Sequence, residues 1–521
     1  MGQSKESGKL ARPWREIEIE LTAAKKWSNP YTDVEAWVDF EHDSGRVIRR
    51  PAFWDGGASW KVRFASPVGH GAWKWRSAAS VDDSGLSGVS GEVQCAPAED
   101  EENLFYRRGF WKMSKGGRNL VHADGTPCML AGDTVWALPW RATPEQCTIY
   151  AADRQQKGYN AALLMTVQPD MDARGPRDRT KDTGFDVGFE DLERGHLNEI
   201  NVEYFQRFDE LCDILVAHEI VPVYQPLFHG YGWKGLRVAG LVVSPEEYAR
   251  YCRYLVARFG ARPAMWLVGG DGDCKLESIR AAGAEIEAWD AYGQPTGLHY
   301  RPHARADAWQ EADWLDFQWC QTGHSGLHLP ERVADMWRNR PIKAVANGEP
   351  TYEHIGEPGR ATDWWQGEEA WANLCAGGTM GAVYGAGSLW QWRLHKNEPD
   401  YEEWAHARLA GWREAIDFPG SKYVGAMRKI FDGLPFADME PDWESVIWGR
   451  GLSVPGKLLV LYMPEPVEVR IPVEWVPSEY RVFDPKTAEE VGTGTLEQSG
   501  PMRVLRPGGE GPKVYVFCVS W

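Results

Sequence analysis

Paired cysteines are missing from this sequence. Its nine cysteines are scattered from Cys95 to Cys518, none forms a CxxC pair, and the odd count argues against a complete disulfide framework. Long apolar runs are missing too: no window approaches 18 uninterrupted apolar residues, so no membrane-spanning helix is expected. The opening stretch, MGQSKESGKLARPW, lacks an apolar core of signal-peptide length, and Glu6 stands where a myristoylation motif wants Ser or Thr. Together these absences predict a cytoplasmic protein with reduced thiols. Positive charge is scarce, with 57 Lys and Arg against 75 Asp and Glu and a net charge of -18. Such a chain has no electrostatic reason to seek nucleic acid or an anionic membrane, and a neutral or cationic partner is expected. There is no internal repeat and no low-complexity block, and nothing in the sequence sets the oligomeric state.

What is abundant is tryptophan: 28, against 19 Tyr and 17 Phe, in a chain of 521 residues that is 43% hydrophobic and 25% charged. These proportions describe an ordinary folded protein. Three segments follow from the patterning. Residues 1–100 contain EIEIELTA, EAWVDFEH, SWKVRFAS and GAWKWRSA, which alternate apolar and polar at period two and predict a β-sandwich. In residues 101–432 short apolar runs alternate with helical periodicity. Examples are NAALLMTVQ before VEYFQRFDELCDILVAH, and IVPVYQPLF before SPEEYARYCRYLVARFG. Eight strand candidates, the last being MGAVYGAGSLWQW, predict an α/β fold with a (β/α)8 TIM barrel, a doubly wound open sheet being the runner-up. Residues 433–521 return to strand signals such as KLLVLYMP and KVYVFCVSW and predict a second β-sandwich.

In such a barrel the chemistry sits at the carboxyl ends of the strands. The polar residues there are Asp133 and Trp136, Gln168 and Asp170, Gln225 and His229, Asp271 and Asp273, then His299, Tyr300 and His303. Gln318, Trp319 and His324 follow, with Asn347 and Glu349, and finally Trp390, Gln391 and Trp392. Carboxylates, amides and indoles are the groups that sugar recognition uses: hydrogen bonds to hydroxyls and flat rings against the apolar face of a pyranose. Glycoside hydrolysis needs two opposed carboxyl groups, one protonated and one ionised. Asp271 and Glu349, at the ends of strands four and seven and each preceded by glycine, form the best pair. Asp133 and Trp136 are expected to floor a sugar subsite, and Gln168, Gln225, His229, His299, Tyr300, Gln318, Trp319, Tyr352 and Trp390 to line it. Tyr352 and Glu353 are candidates to orient Glu349, and Trp390 and Trp392 alternate at strand spacing and so share one face of their strand. Residues 170–193 form a long charged loop, a candidate lid or specificity element. Pro302 breaks the helical spacing that a His299/His303 metal pair would need, so no metal and no cofactor is expected. A carbohydrate-binding barrel without turnover and an inverting glycosidase are the rival readings.

Four barrel stretches, LAGDTVWAL, GYNAALLMTVQP, MWLVGGD and NGEPTYE, resemble the apiosidase-like glycoside hydrolases of the family 140 type. FWDGGASWKVRFASPVGHGAWKW resembles the immunoglobulin-like module that often precedes that barrel. The carboxyl-terminal segment is matched by type only. The resemblance implies a retaining enzyme, with Asp271 as acid/base and Glu349 as nucleophile, acting on an oligosaccharide to remove a terminal apiose or another pentose or hexose. Many retaining barrels carry Asn-Glu after strand four. Gly270-Asp271 stands there in this chain, which keeps Asp273 as an alternative acid.

Overall fold

The apolar runs of the central segment are strands buried on both faces. Leu130–Thr134 (β1), Ala161–Met165 (β2), Val221–Gln225 (β3), Met265–Leu267 (β4), Thr296–His299 (β5), Phe317–Gln321 (β6), Ala344–Glu349 (β7) and Gly381–Gly385 (β8) contain only buried residues. A strand packed by side chains within the barrel and by helices outside it keeps no polar face, which is why alternation is absent here. Neighbours pair in parallel, and β1 pairs with both β2 and β8, so the sheet closes. The computed structural model describes residues 9–97, 101–169, 171, 187–230, 237–272, 274–302, 308–356, 359–398, 410–443 and 450–519.

The outer helices are Pro144–Lys157 (α1), Val202–Ala217 (α2), Pro245–Phe259 (α3), Glu277–Trp289 (α4), Pro330–Trp337 (α5), Trp364–Cys375 (α6) and Pro419–Ile430 (α7). Their starts follow local chemistry. Thr143 and Gln146 form a reciprocal capping box on α1, and the Ser244 side chain accepts the Glu247 N–H at the head of α3. Among the described residues no helix follows β5, and no helix is long and apolar enough to cross a membrane.

The eighth strand is shorter than the sequence predicts. It ends at Gly385, and Gly387–Trp390 is a single helical turn in which the Leu389 and Trp390 N–H groups bond to the Ala386 carbonyl. Small residues from Gly385 to Ser388 let the chain turn inward at once. Trp390 and Trp392 therefore do not share a strand face. Trp392 instead stacks on Trp412 at 5.0 Å with 7° between planes, and its indole donates to Gln146.

Before the barrel, seven strands from Lys9–Ala11 to Ser90–Cys95 form one hydrogen-bonded order, and the strand Ala36–His42 alternates buried positions with half-buried or exposed ones. After it, six antiparallel strands and a further three enclose a separate core containing Leu459, Leu461, Ile471, Leu505, Tyr515 and Phe517. Trp371 of α6 stacks on Tyr462 of the six-stranded sheet at 5.3 Å.

Charge, rather than apolar area alone, fixes the first sheet to the barrel. Arg63, on the strand Ser59–Ala65, reaches Asp209 of α2 at 2.6 Å, and Arg258 of α3 reaches the other oxygen at 2.7 Å. Arg262 bonds back to Glu16 at 3.0 Å. Burial opposes the charge on Asp209, but Arg258 and Arg63 outweigh it and hold the carboxyl below the usual range. A depressed folded-state value adds stability above the unfolded value of about 3.9, and that stability is lost as pH falls through the folded value. Asp209→Ala is expected to cost about 3–5 kcal/mol, because it leaves buried guanidinium groups unpaired. Chemical denaturation at neutral pH measures that loss, and a change below 1 kcal/mol would show the pair to be dispensable.

Candidate active site

Glu349 is the last residue of β7 and is 5% exposed. The glycine before it is a steric requirement: a Cβ on Gly348 would lie 1.7 Å from Trp319 Nε1, so the indole from β6 covers the strand end only because residue 348 has no side chain. His324 Nε2 stands 3.0 Å from Glu349 Oε1 while its Nδ1 accepts the Tyr352 backbone N–H. Accepting at Nδ1 leaves the proton on Nε2, aimed at the carboxylate. His299 Nε2 lies 3.0 Å from Oε2 but off the line a hydrogen bond requires. Its ring is oriented by Gln225, whose Nε2 donates to Met165 Sδ and whose Oε1 faces His299 Nδ1 at 2.9 Å. Burial alone would raise the Glu349 carboxyl, yet His299 and His324 beside it outweigh burial and lower it, so the group is ionised at neutral pH.

Asp271 follows β4 on a tight turn. A Cβ on Gly270 would fall 2.1 Å from Gln225 Nε2, and Asp271 itself adopts φ 53°, a left-handed conformation that Asp tolerates better than most residues. The side chain is 7% exposed, and Oδ1 is buried without a hydrogen-bond partner among the described residues. Burial and then the negative charge of Glu349 push its carboxyl well above the usual range, with Arg301 offsetting only part. Two carboxyl groups within electrostatic reach thus have their proton affinities driven apart, the pattern that divides an acid from an anion.

Rings enclose the pair. Trp136 contacts His299 at 6.4 Å, Phe228 at 5.5 Å and Trp390 at 5.7 Å. Trp390 meets Tyr352 at 6.0 Å, and Tyr352 meets His324 at 4.4 Å. The structure therefore brings together Asp271, Glu349, Trp136, Gln225, His299, Trp319, Tyr352 and Trp390. His229 packs under the Asp271 turn, its Nδ1 accepting the Gly270 N–H at 3.3 Å, and burial lowers its pKa to about 4, so the ring is neutral. Gln168 is buried just beyond β2.

Other expectations need correction. Asp133 does not floor a sugar subsite: it faces α1, where Arg154 Nε at 2.6 Å and the Tyr150 hydroxyl at 3.0 Å hold its Oδ2. A strand carboxylate with no exposed side-chain surface needs a cation, and the following helix supplies it. Gln318 and Trp319 are adjacent on β6 and so face opposite ways. Gln318 bonds to the Met336 carbonyl and to Asn339 beside α5, while Trp319 faces Gly348. The Tyr300 hydroxyl donates to the Ala308 carbonyl. Glu353 does not orient Glu349; it accepts from the Tyr384 hydroxyl and from the Asp363 and Gly420 N–H groups. Asp170, Asp273, His303 and most of the 170–193 loop lie outside the described residues.

In the sequence His324 is marked only as a polar residue past strand six; the fold sets it against Glu349. Behind Glu349 lies a further chain of groups: Asn347 donates to Thr322 Oγ1, and Thr322 donates to the buried Glu369 of α6 at 3.2 Å. No local pattern marks Glu369. Replacing His324 with alanine removes a donor to the anion, so the Glu349 carboxyl rises and the acidic limb of kcat/KM moves to higher pH by about one unit. A pH–rate profile checks this; an unmoved acidic limb would separate His324 from Glu349.

Residues 114–438 match the family model described as "Apiosidase-like, catalytic domain", and residues 11–80 match a domain model of unknown function, DUF5060. No curated protein matches the chain. Among solved structures, a glycoside hydrolase family 5 protein from Bacteroides vulgatus ATCC 8482 aligns at TM-score 0.65 and 19% identity over 79% of this chain and 94% of its own. A second protein of that strain aligns at TM-score 0.72 and 17% identity over 98% of this chain and 100% of its own. A further structure, titled a glycoside hydrolase, aligns at 0.64 and 18% over 80% and 98%. At these identities the three show a shared fold.

Proposed function

The chain belongs to the apiosidase-like catalytic-domain family and is a glycosidase, and on that premise we propose that it is a retaining, exo-acting enzyme that removes a terminal apiose, or another pentose or hexose, from an oligosaccharide. The observation that carries this reading is the opposed poise of two buried carboxyl groups at the ends of β4 and β7, Asp271 held protonated and Glu349 held ionised.

Asp271 protonates the departing glycosidic oxygen while Glu349 attacks the anomeric carbon. The C–O bond of the glycoside breaks, and an ester to Glu349 forms. Esterification removes the negative charge that had raised the Asp271 carboxyl, so the carboxylate left after the proton transfer stays ionised and serves as the base for the incoming water. Water then attacks the anomeric carbon, Asp271 takes its proton, and Glu349 leaves as the carboxylate. The low exposure of both acids and the arc of rings around them suit a pocket for one terminal residue better than an open groove. In the same reading residues 101–432 form the catalytic module, with an immunoglobulin-like module (1–100) before it and a sandwich (433–521) after it, working on oligosaccharides in the cytoplasm.

Proton NMR of a fresh reaction on an aryl glycoside, pentosides first, is expected to show the product anomer of retained configuration. An inverted first product would replace the ester with direct attack by water.

A further inference from the structure

Away from the barrel mouth, a cleft of about 220 Å³ opens between the first sheet and helices α3 and α4. It shares no lining residue with the active site. Tyr31, Trp54 and Trp60 come from the sheet module and Trp289 from the end of α4, while Arg253 of α3 bridges them. Trp54 and Trp60 are cross-strand partners, which puts both side chains on one face of the hairpin. Arg253 pairs with Glu35 at 2.6 Å and with Glu285 at 3.2 Å, and its guanidinium lies 5.9 Å from the Trp289 ring centre.

We propose that this cleft is a second, non-catalytic saccharide-binding site that accepts a single neutral sugar ring. Three observations carry the assignment. The wall is rich in indoles, the surface on which the apolar face of a sugar ring packs. Its charged lining consists of two arginines, Arg250 and Arg253, and two glutamates, Glu35 and Glu246, so the site has no net charge and favours a neutral ligand over an anion. Trp60 is 3% exposed, yet its indole N–H has no hydrogen-bond partner among the described residues. A buried donor in that state is costly, and because Trp60 lines the cleft, a turn of its ring on binding would offer that N–H to an acceptor oxygen of a ligand hydroxyl. The volume is below the roughly 300–1,000 Å³ of sites for larger ligands and suits one ring rather than a chain. Binding one residue of an oligosaccharide here would hold the substrate to the enzyme between encounters with the active site. The ligand class rests on the glycosidase reading; the cleft and its unpaired donor do not.

The test uses the full chain with D-xylose, L-arabinose and D-apiose as separate probes, read by saturation-transfer NMR and by crystals soaked in each sugar. At least one sugar is expected to seat against Trp54 and Trp60. Trp54→Ala is expected to weaken that binding about tenfold while leaving kcat/KM on a small aryl glycoside unchanged. Trp60→Phe, which keeps a ring but deletes the N–H, guards against misfolding of the first variant and is expected to weaken binding as well. An empty cleft in every soak, or binding indifferent to both substitutions, would overturn the site. Aryl-glycoside hydrolysis reports separately on the catalytic reading, so loss of one does not imply loss of the other.

Discussion

Glu349→Ala is expected to lower kcat/KM by about 10⁴- to 10⁶-fold, the range seen when a residue that forms the covalent bond is deleted. The expectation follows from its surroundings. Glu349 ends a barrel strand, is almost fully buried, and is approached by two imidazoles at 3.0 Å that favour the anion over the acid. A carboxylate in that state attacks an electrophilic carbon, and alanine cannot. The fold is expected to persist, because the β7 backbone and its parallel pairing to β6 and β8 do not depend on the side chain. Added azide fits the space left by the carboxylate and is expected to restore turnover on an activated aryl glycoside, giving a glycosyl azide of inverted configuration. Substantial unassisted hydrolysis by the alanine variant would remove Glu349 from the nucleophile's role.

Asp271→Asn is expected to cost about 10²- to 10⁴-fold on substrates with poor leaving groups, the usual worth of a positioned proton donor. Substrates with good leaving groups need little protonation and are expected to lose less in the first step. The pH profile separates the two roles of the residue. Burial and the charge of Glu349 raise the Asp271 carboxyl, so it is protonated below its shifted value and the enzyme is active there. As pH rises through that value the proton is lost and the rate falls. Asparagine neither gains nor loses a proton in this range, so the alkaline limb is expected to vanish in the variant. An alkaline limb that survives unchanged would transfer the role to another group.

Much of this architecture is legible in the sequence because burial on both faces leaves a readable mark. The runs NAALLMTVQ and IVPVYQPLF are apolar without alternation, and both are central barrel strands, β2 and β3. Gly348 and Gly270 read as places where a ligand can approach the backbone, but the space beside them is taken by the chain's own Trp319 and Gln225. What the sequence does not show is which way a polar side chain turns at a strand end. Asp133 and Thr134 are neighbours, as are Gln318 and Trp319, and one residue of register decides between the barrel interior and the helix layer. Asp133 turns outward because Arg154, 21 positions later, lies on the helix that packs there. The role of His324 depends on a loop bringing it back over β7, and no periodicity encodes that return. Trp390 and Trp392 look like strand positions because Gly-Ala-Gly-Ser does not announce where the strand ends, and the chain turns there into Gly387–Trp390 with the Tyr352 ring packed on Gly385.

The ion pairs that clasp Asp209 also limit how this protein can be cut or recombined. A barrel excised at its own first strand would keep Arg258 and Arg262 but forfeit Arg63, Glu16 and the Arg50 guanidinium that caps the Val256 carbonyl. The amino-terminal sheet is in that respect a cast section of the catalytic body rather than a detachable cassette. Grafting it onto an unrelated barrel would transplant half of an electrostatic lock without its key.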